Sequence, residues 1–191
     1  GHGTLNSAQQ RFSDGSVEAW AQRADAAAAA LKSPTCRLGA AIHSVRAVDA
    51  ASIQQVAAWA AAKNLPLHAH VSEQQAENEQ CVAAYGLTPT ALLSEHGAIG
   101  RSFTAVHATH LAGTDFGQLG SASCTVCLCP TTERDLADGI GSALALRNEG
   151  VRLAVGSDSQ AVIDLFVEAR GIELHERLAT QLRGSHNAPS L

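Results

Sequence analysis

Residues 65–74 read Leu-Pro-Leu-His-Ala-His-Val-Ser-Glu-Gln. The stretch opens as a short apolar run, too brief for a stable helix and bounded by a proline, and ends in groups able to do chemistry. On a strand, His68 and His70 share a face because they stand two residues apart. Glu73 follows just past the end. The same plan recurs on both sides: RLGAAIH at 37–43, SFTAVH at 102–107, CTVCLC at 124–129 and VRLAV at 151–155 are further short apolar runs. Between them lie stretches of helical character at 49–62, 74–84, 89–96, 114–119 and 140–148, with another at 163–178 after the last run. In the first of these, Ile53, Val56, Ala57 and Ala60 fall on one face. Continuous apolar runs are strands buried on both faces, and the helices between them are crossovers, so the expected class is α/β with a parallel sheet. Gly150 fits a helix C-cap just before the last run. Upstream, the alanine-rich segment 16–32, with Ala24 and the alanines at 26–30, predicts a helix packed closely on something else, and residues 1–15 read as a loop or a cut edge.

An open doubly wound sheet and part of a (β/α)8 barrel both satisfy this alternation. No G-x-G-x-x-G phosphate turn follows any strand. The polar residues favour the barrel: His43, His70, His107 and Asp158 each fall at or just past the C-terminal end of a different run, the rim on which barrel enzymes build their sites. Imidazoles beside a carboxylate suit zinc or another borderline divalent metal. Glu73, three residues past His70, has the reach of a general acid/base that is not itself a ligand. Asp158, in Gly-Ser-Asp-Ser, could instead form an Asx turn or cap the following helix. Arg46 suits a substrate carboxylate or stands as a solvated loop cation. His68 and His110 read as supporting or structural residues. Cys124, Cys127 and Cys129 resemble half a thiolate site, but 124 lies on the opposite face from the other two and no second cysteine pair follows.

These segments resemble the amidohydrolase superfamily and, within it, the formimidoylglutamate deiminases of histidine degradation. The matching stretches are HSVRAV at 43–48, HAHVSEQ at 68–74, VHATHL at 106–111 and GSDS at 156–159, with QQRF at 9–12 a looser match. The resemblance implies one divalent metal, zinc foremost, held by His70 and Asp158. It implies that His107, Glu73 and Asp158 are catalytic, with Glu73 shuttling protons, and that His43 and Arg46 contact the substrate. The implied reaction converts N-formimidoyl-L-glutamate to N-formyl-L-glutamate and ammonia. Another deaminase of the purine or pterin type, and a non-catalytic barrel fragment, are the rival readings. Members begin with an H-x-H strand supplying two more histidine ligands, and none precedes residue 16. The runs therefore correspond to barrel strands four to eight, with the first three strands and a small β-domain expected outside residues 1–191.

Composition agrees. The 191 residues are few against roughly 250 for a whole barrel. There is no methionine, which fits a removed start or a piece of something longer. Hydrophobic residues make up 46%, enough for a real core. Thirteen basic against eighteen acidic residues, without a basic cluster, leave no footprint for nucleic acid or an anionic membrane surface. No apolar window is long enough to span a membrane and no signal peptide opens the chain, so a cytoplasmic setting is expected. Five cysteines, an odd number, fit reduced thiols. Five strands of an eight-stranded barrel would leave two open edges, so a homo-oligomer, a dimer, is expected, and the resemblance implies a small-molecule substrate as the other partner.

Overall fold

A computed structural model describes residues 5–187. Five parallel strands form one sheet in chain order: β1 (Ala40–Ile42), β2 (Leu67–Val71), β3 (Phe103–His107), β4 (Thr125–Leu128) and β5 (Arg152–Val155). The helices are α1 (Ser7–Gln10), α2 (Val17–Ala30), α3 (Ala50–Ala62), α4 (Gln75–Tyr85), α5 (Pro89–Glu95), α6 (Gly113–Ser121), α7 (Pro130–Asp135), α8 (Ala143–Asn148) and α9 (Leu165–Thr180). All five expected strands are present, and each parallel neighbour is reached through at least one helix, the arrangement that burial of both sheet faces demands.

Register decides what faces what. Ala41 pairs with His68, His70 with Val106, Val106 with Cys127 and Cys127 with Ala154, so these residues form rows on one face. The opposite face carries Ile42, Leu67, Ala69, Val71, Phe103, Ala105, Val126 and Leu128, all buried beneath the helices. Ile53, Val56, Ala57 and Ala60 of α3 are the buried face anticipated from spacing. Burying side chains such as Phe103, Leu119 and Leu146 contributes about 1.5–3 kcal/mol each. The row that includes His68 and His70 is only partly covered: Ala41, His68 and Arg152 are exposed and Thr104, Val106 and Cys127 half-buried.

Several expectations are corrected. Residues 1–15 are not wholly a loop, since Asn6 closes a capping box with Gln9 that nucleates the single turn of α1; residues 1–4 lie outside the described part. The alanine-rich helix is present, but alanines 26–30 are exposed and α2 buries no residue fully. It leans on the fold through Trp20, whose ring meets Trp59 edge-on at 4.9 Å. The first strand is shorter than 37–43, the helix expected over 140–148 begins only at Ala143, and α9 runs two residues later at each end than 163–178. Helix α7 was not anticipated. It and α8 are too short to stand alone, and their N-caps, Cys129 and Ser142, make no side-chain capping bond. Helix α9 supplies the acceptors: Glu168 takes the Thr131 N–H at 3.0 Å and the Thr131 hydroxyl at 2.5 Å, while Glu176 takes the Leu144 N–H at 3.0 Å. Two carboxylates on one helix thus cap two others, where the helix dipoles favour negative charge.

Candidate active site

The site is built where the strands end. His43 directly follows β1, His70 lies in β2, His107 closes β3 and Asp158 stands three residues past β5. Strand alternation alone would turn His107 away, because Val106 faces the open side. His107 and Ala108 instead adopt left-handed backbone, with φ of 69° and 53°, and the ring swings inward. Ser72, beside Glu73, and Asp158 are left-handed too, at 50° and 46°. Such conformations cost about 1–3 kcal/mol each and persist where the surroundings hold them. Here the Ala108 N–H donates to Val71 O at 3.0 Å and the His110 N–H to Ser72 O at 2.9 Å.

The side chains converge. The His70 and His107 rings stack at 5.6 Å, and His43 tilts against His70 at 5.2 Å. His107 Nε2 lies 3.7 Å from Glu73 Oε1 and 3.7 Å from Asp158 Oδ2. Arg46 Nη2 donates to Glu73 Oε2 at 2.6 Å, and its Nε faces Glu77 Oε2 at 3.6 Å. Arg46 is therefore not a solvated loop cation. Nor does Asp158 cap the last helix, because Asp164 does that. All six residues assigned from sequence come together. His68 stays exposed outside the cluster, and His110 donates from Nε2 to Asp138 O at 2.5 Å, a structural bond.

The cluster fits a divalent cation by its donor chemistry. One ligand atom each from His70, His107 and Asp158 lies within 4.8 Å of the others. His70 Nδ1 sits 2.7 Å from the His43 carbonyl, which can only accept, so Nδ1 is the donor nitrogen of the ring and a neutral ring leaves the Nε2 lone pair for a ligand role. His107 Nε2 is buried without a hydrogen-bond partner among the described residues. Two imidazole nitrogens and a carboxylate are a zinc-type set with room for further ligands.

Electrostatics divide the groups. Burial pulls the His43 pKa down, helped by the charges of His70 and Arg46. Burial also pulls on His107, but the Glu133 hydrogen bond and the charges of Glu73, Glu133 and Asp158 outweigh it and raise its pKa. Burial raises Glu77 against the pull of Arg46.

Four participants were not singled out from sequence. Ser44 Oγ lies 2.9 Å from His43 Nδ1. Glu77 accepts the Glu73 N–H at 3.1 Å. Thr132 accepts the Ser159 N–H at 3.1 Å, steadying the turn that carries Asp158. Glu133 contacts His107. Thr132 and Glu133 meet partners far along the chain, whereas Ser44 and Glu77 are common polar residues beside or one turn from theirs; Glu133, five residues past the end of β4, could have been read as another rim acid. Cys127 and Cys129 both approach Gly156, their sulfurs 3.2 Å from where a Cβ would sit, while Cys124 turns the other way and bonds Gly100 O; the facing inferred from spacing is correct and all five thiols are free.

Comparison with known proteins places this geometry. The profile of the amidohydrolase family matches residues 6–189. The formimidoylglutamate deiminase of Pseudomonas aeruginosa is 35% identical over 92% of this chain and 38% of its own length. A crystal structure of an amidohydrolase from Brucella melitensis superposes with a TM-score of 0.90 at 31% identity, covering 98% of this chain and 42% of that one. An adenosine deaminase from Xanthomonas campestris with bound zinc gives a TM-score of 0.80 at 27% identity over 86% of this chain and 38% of its own. The chain thus spans less than half the length of these relatives.

Proposed function

Because this chain belongs to the amidohydrolase family, we propose that it carries the catalytic rim of a metal-dependent hydrolase that cleaves C–N bonds, and that its substrate is N-formimidoyl-L-glutamate. Water adds to the formimidoyl carbon, the C–N bond to the terminal nitrogen breaks, and N-formyl-L-glutamate and ammonia leave. His70 and Asp158 would hold the ion, zinc foremost, and two further histidines would come from polypeptide outside this chain, which would also supply the first three barrel strands. A divalent ion bound there supplies a water whose pKa is lowered toward about 7.

The chain's own groups do the rest. Glu73 accepts a proton on one carboxylate oxygen and returns it to the departing nitrogen, which turns a poor leaving group into ammonia. His107 presents Nε2 toward the space between Glu73 and Asp158, where it orients the attacking water and steadies developing charge. His43 and Arg46 hold the glutamyl part, Arg46 through paired donors to a carboxylate. The observation that carries the substrate assignment is the Arg46 guanidinium, 2.6 Å from Glu73. It sets a carboxylate-binding fork beside the proton carrier, which suits an anionic amidine. The similarity to the Pseudomonas aeruginosa deiminase supports the same choice. Five free cysteines suit a cytoplasmic enzyme.

A second reading, a nucleoside-type deaminase, is favoured by one fact: Glu73 and Glu77 both face Arg46 and neutralise it from within the chain. The test is ammonia release by the full-length, zinc-loaded protein. Turnover of N-formimidoyl-L-glutamate, abolished by chelation and restored by zinc, is expected. Inertness toward it with turnover of adenosine would hand the assignment to the second reading.

A further inference from the structure

Glu133 belongs to no part of the mechanism above, yet it is 2% exposed and sits behind His107. Its Oε1 lies 3.3 Å from His107 Nδ1 and accepts the Cys129 N–H at 2.8 Å. Cys129 directly follows β4 and is the N-cap of α7, so the carboxylate is clamped by backbone. Across the ring, His107 Nε2 is buried and unpartnered and points at Glu73 and Asp158. His107, Cys129 and Glu133 also stand close enough for a metal. However, Glu133 Oε1 is already held by the Cys129 N–H and faces His107 Nδ1 at hydrogen-bond distance, so a hydrogen-bonded contact accounts for the trio.

We propose that Glu133 is a positioning residue that keeps the proton of neutral His107 on Nδ1 and so presents the Nε2 lone pair to the reaction space. A carboxylate can only accept, and therefore a neutral ring in contact with it must carry its proton on the contacting nitrogen. An unrestrained imidazole has no such obligation and can place the proton on Nε2, where it would block the lone pair. The same arrangement operates at His70, where the His43 carbonyl fixes the Nδ1 proton. The inference deepens the proposed reaction and rests on it for the role of His107, while the tautomer stands by itself.

Nitrogen-15 NMR of the imidazoles, in the metal-free protein at a pH where His107 is neutral, reads the tautomer directly. The wild type is expected to show the Nδ1–H form. Glu133→Gln, which keeps Oε1, should preserve it, and Glu133→Leu should lose it. With zinc-loaded protein and N-formimidoyl-L-glutamate, Glu133→Leu should lower kcat by about 10–100-fold, as loss of an outer partner of a site histidine typically does. KM should stay within about threefold, because no substrate contact is removed. A wild-type His107 protonated on Nε2, or an unchanged Nδ1–H form in Glu133→Leu, would overturn the proposal. The wild-type spectrum can do so even if Glu133→Leu does not fold. Failure to turn over the substrate refutes the proposed function and leaves the tautomer result standing.

Discussion

At Arg46 two demands meet. The proposed function asks the guanidinium to hold a substrate carboxylate, and the fold asks it to neutralise Glu73 and the wholly buried side chain of Glu77. Arg46→Ala should raise KM for N-formimidoyl-L-glutamate by about 10–100-fold, the loss of one charge-assisted contact. It should lower kcat as well, because Glu73 loses its partner. Steady-state kinetics check this, and an unchanged KM would sink the substrate role. The same change leaves Glu77 buried without a counter-charge, a cost of about 1–3 kcal/mol. Adding Glu77→Gln should restore part of it, since a neutral amide needs no cation. Urea unfolding of the single and double variants measures that coupling.

At the scale of elements, α9 acts as a brace. Glu168→Ala orphans the buried Thr131 N–H and hydroxyl and should destabilise by about 1–3 kcal/mol, read from the denaturant midpoint. Because α7 also carries Glu133, activity should fall beyond what the lost stability explains. Gly171, within α9, tests packing against propensity. Replacing it by alanine gains about 1 kcal/mol of helix propensity, but the new methyl would sit 2.8 Å from Pro130 Cβ. Overpacking of that kind costs about 1–3 kcal/mol, and a proline ring beside the strand end cannot easily yield. Gly171→Ala should lower the melting temperature; a rise would mean the two helices separate freely.

For the molecule as a whole, acidity and the edges of the sheet set the limits. Burial and the nearby charge of Arg147 hold the His186 pKa down, against the pull of Glu176 and Glu173. The folded chain therefore takes up this proton less readily than the unfolded chain, where histidine titrates near about 6.5. His186 contributes stability above that pH, and the contribution drains away as pH falls toward the depressed folded value. His175, lowered by burial and by Arg134, acts in the same sense, and His107, whose pKa is raised, in the opposite one. Thermal melts should show His186→Gln falling less steeply than wild type between about pH 7 and 5; equal slopes would refute the assignment. Among the described residues the sheet pairs β1 only with β2 and β5 only with β4, and its histidine-bearing face is partly bare. The 191-residue chain expressed alone should therefore associate or melt broadly. A sharp two-state transition of a 19.7 kDa monomer in sedimentation would contradict this.

Sequence alone determined the alternation of strand and helix, the parallel class and the strand-end address of His43, His70, His107 and Asp158. These follow from local periodicity and spacing, which the backbone obeys before any distant contact forms. It also sufficed for the resemblance to amidohydrolases, because H-S-V-R and H-x-H-x-x-E are short and contiguous. Tertiary structure decided what depends on partners remote in the chain. It turned His107 inward through left-handed backbone, tied Arg46 to Glu73 across 27 residues, brought Glu133 behind His107 across 26 and capped α7 from α9 across 37. None of those pairings leaves a period or a motif, since a buried carboxylate is placed by the packing around it and its sequence neighbours do not announce the donor it will meet.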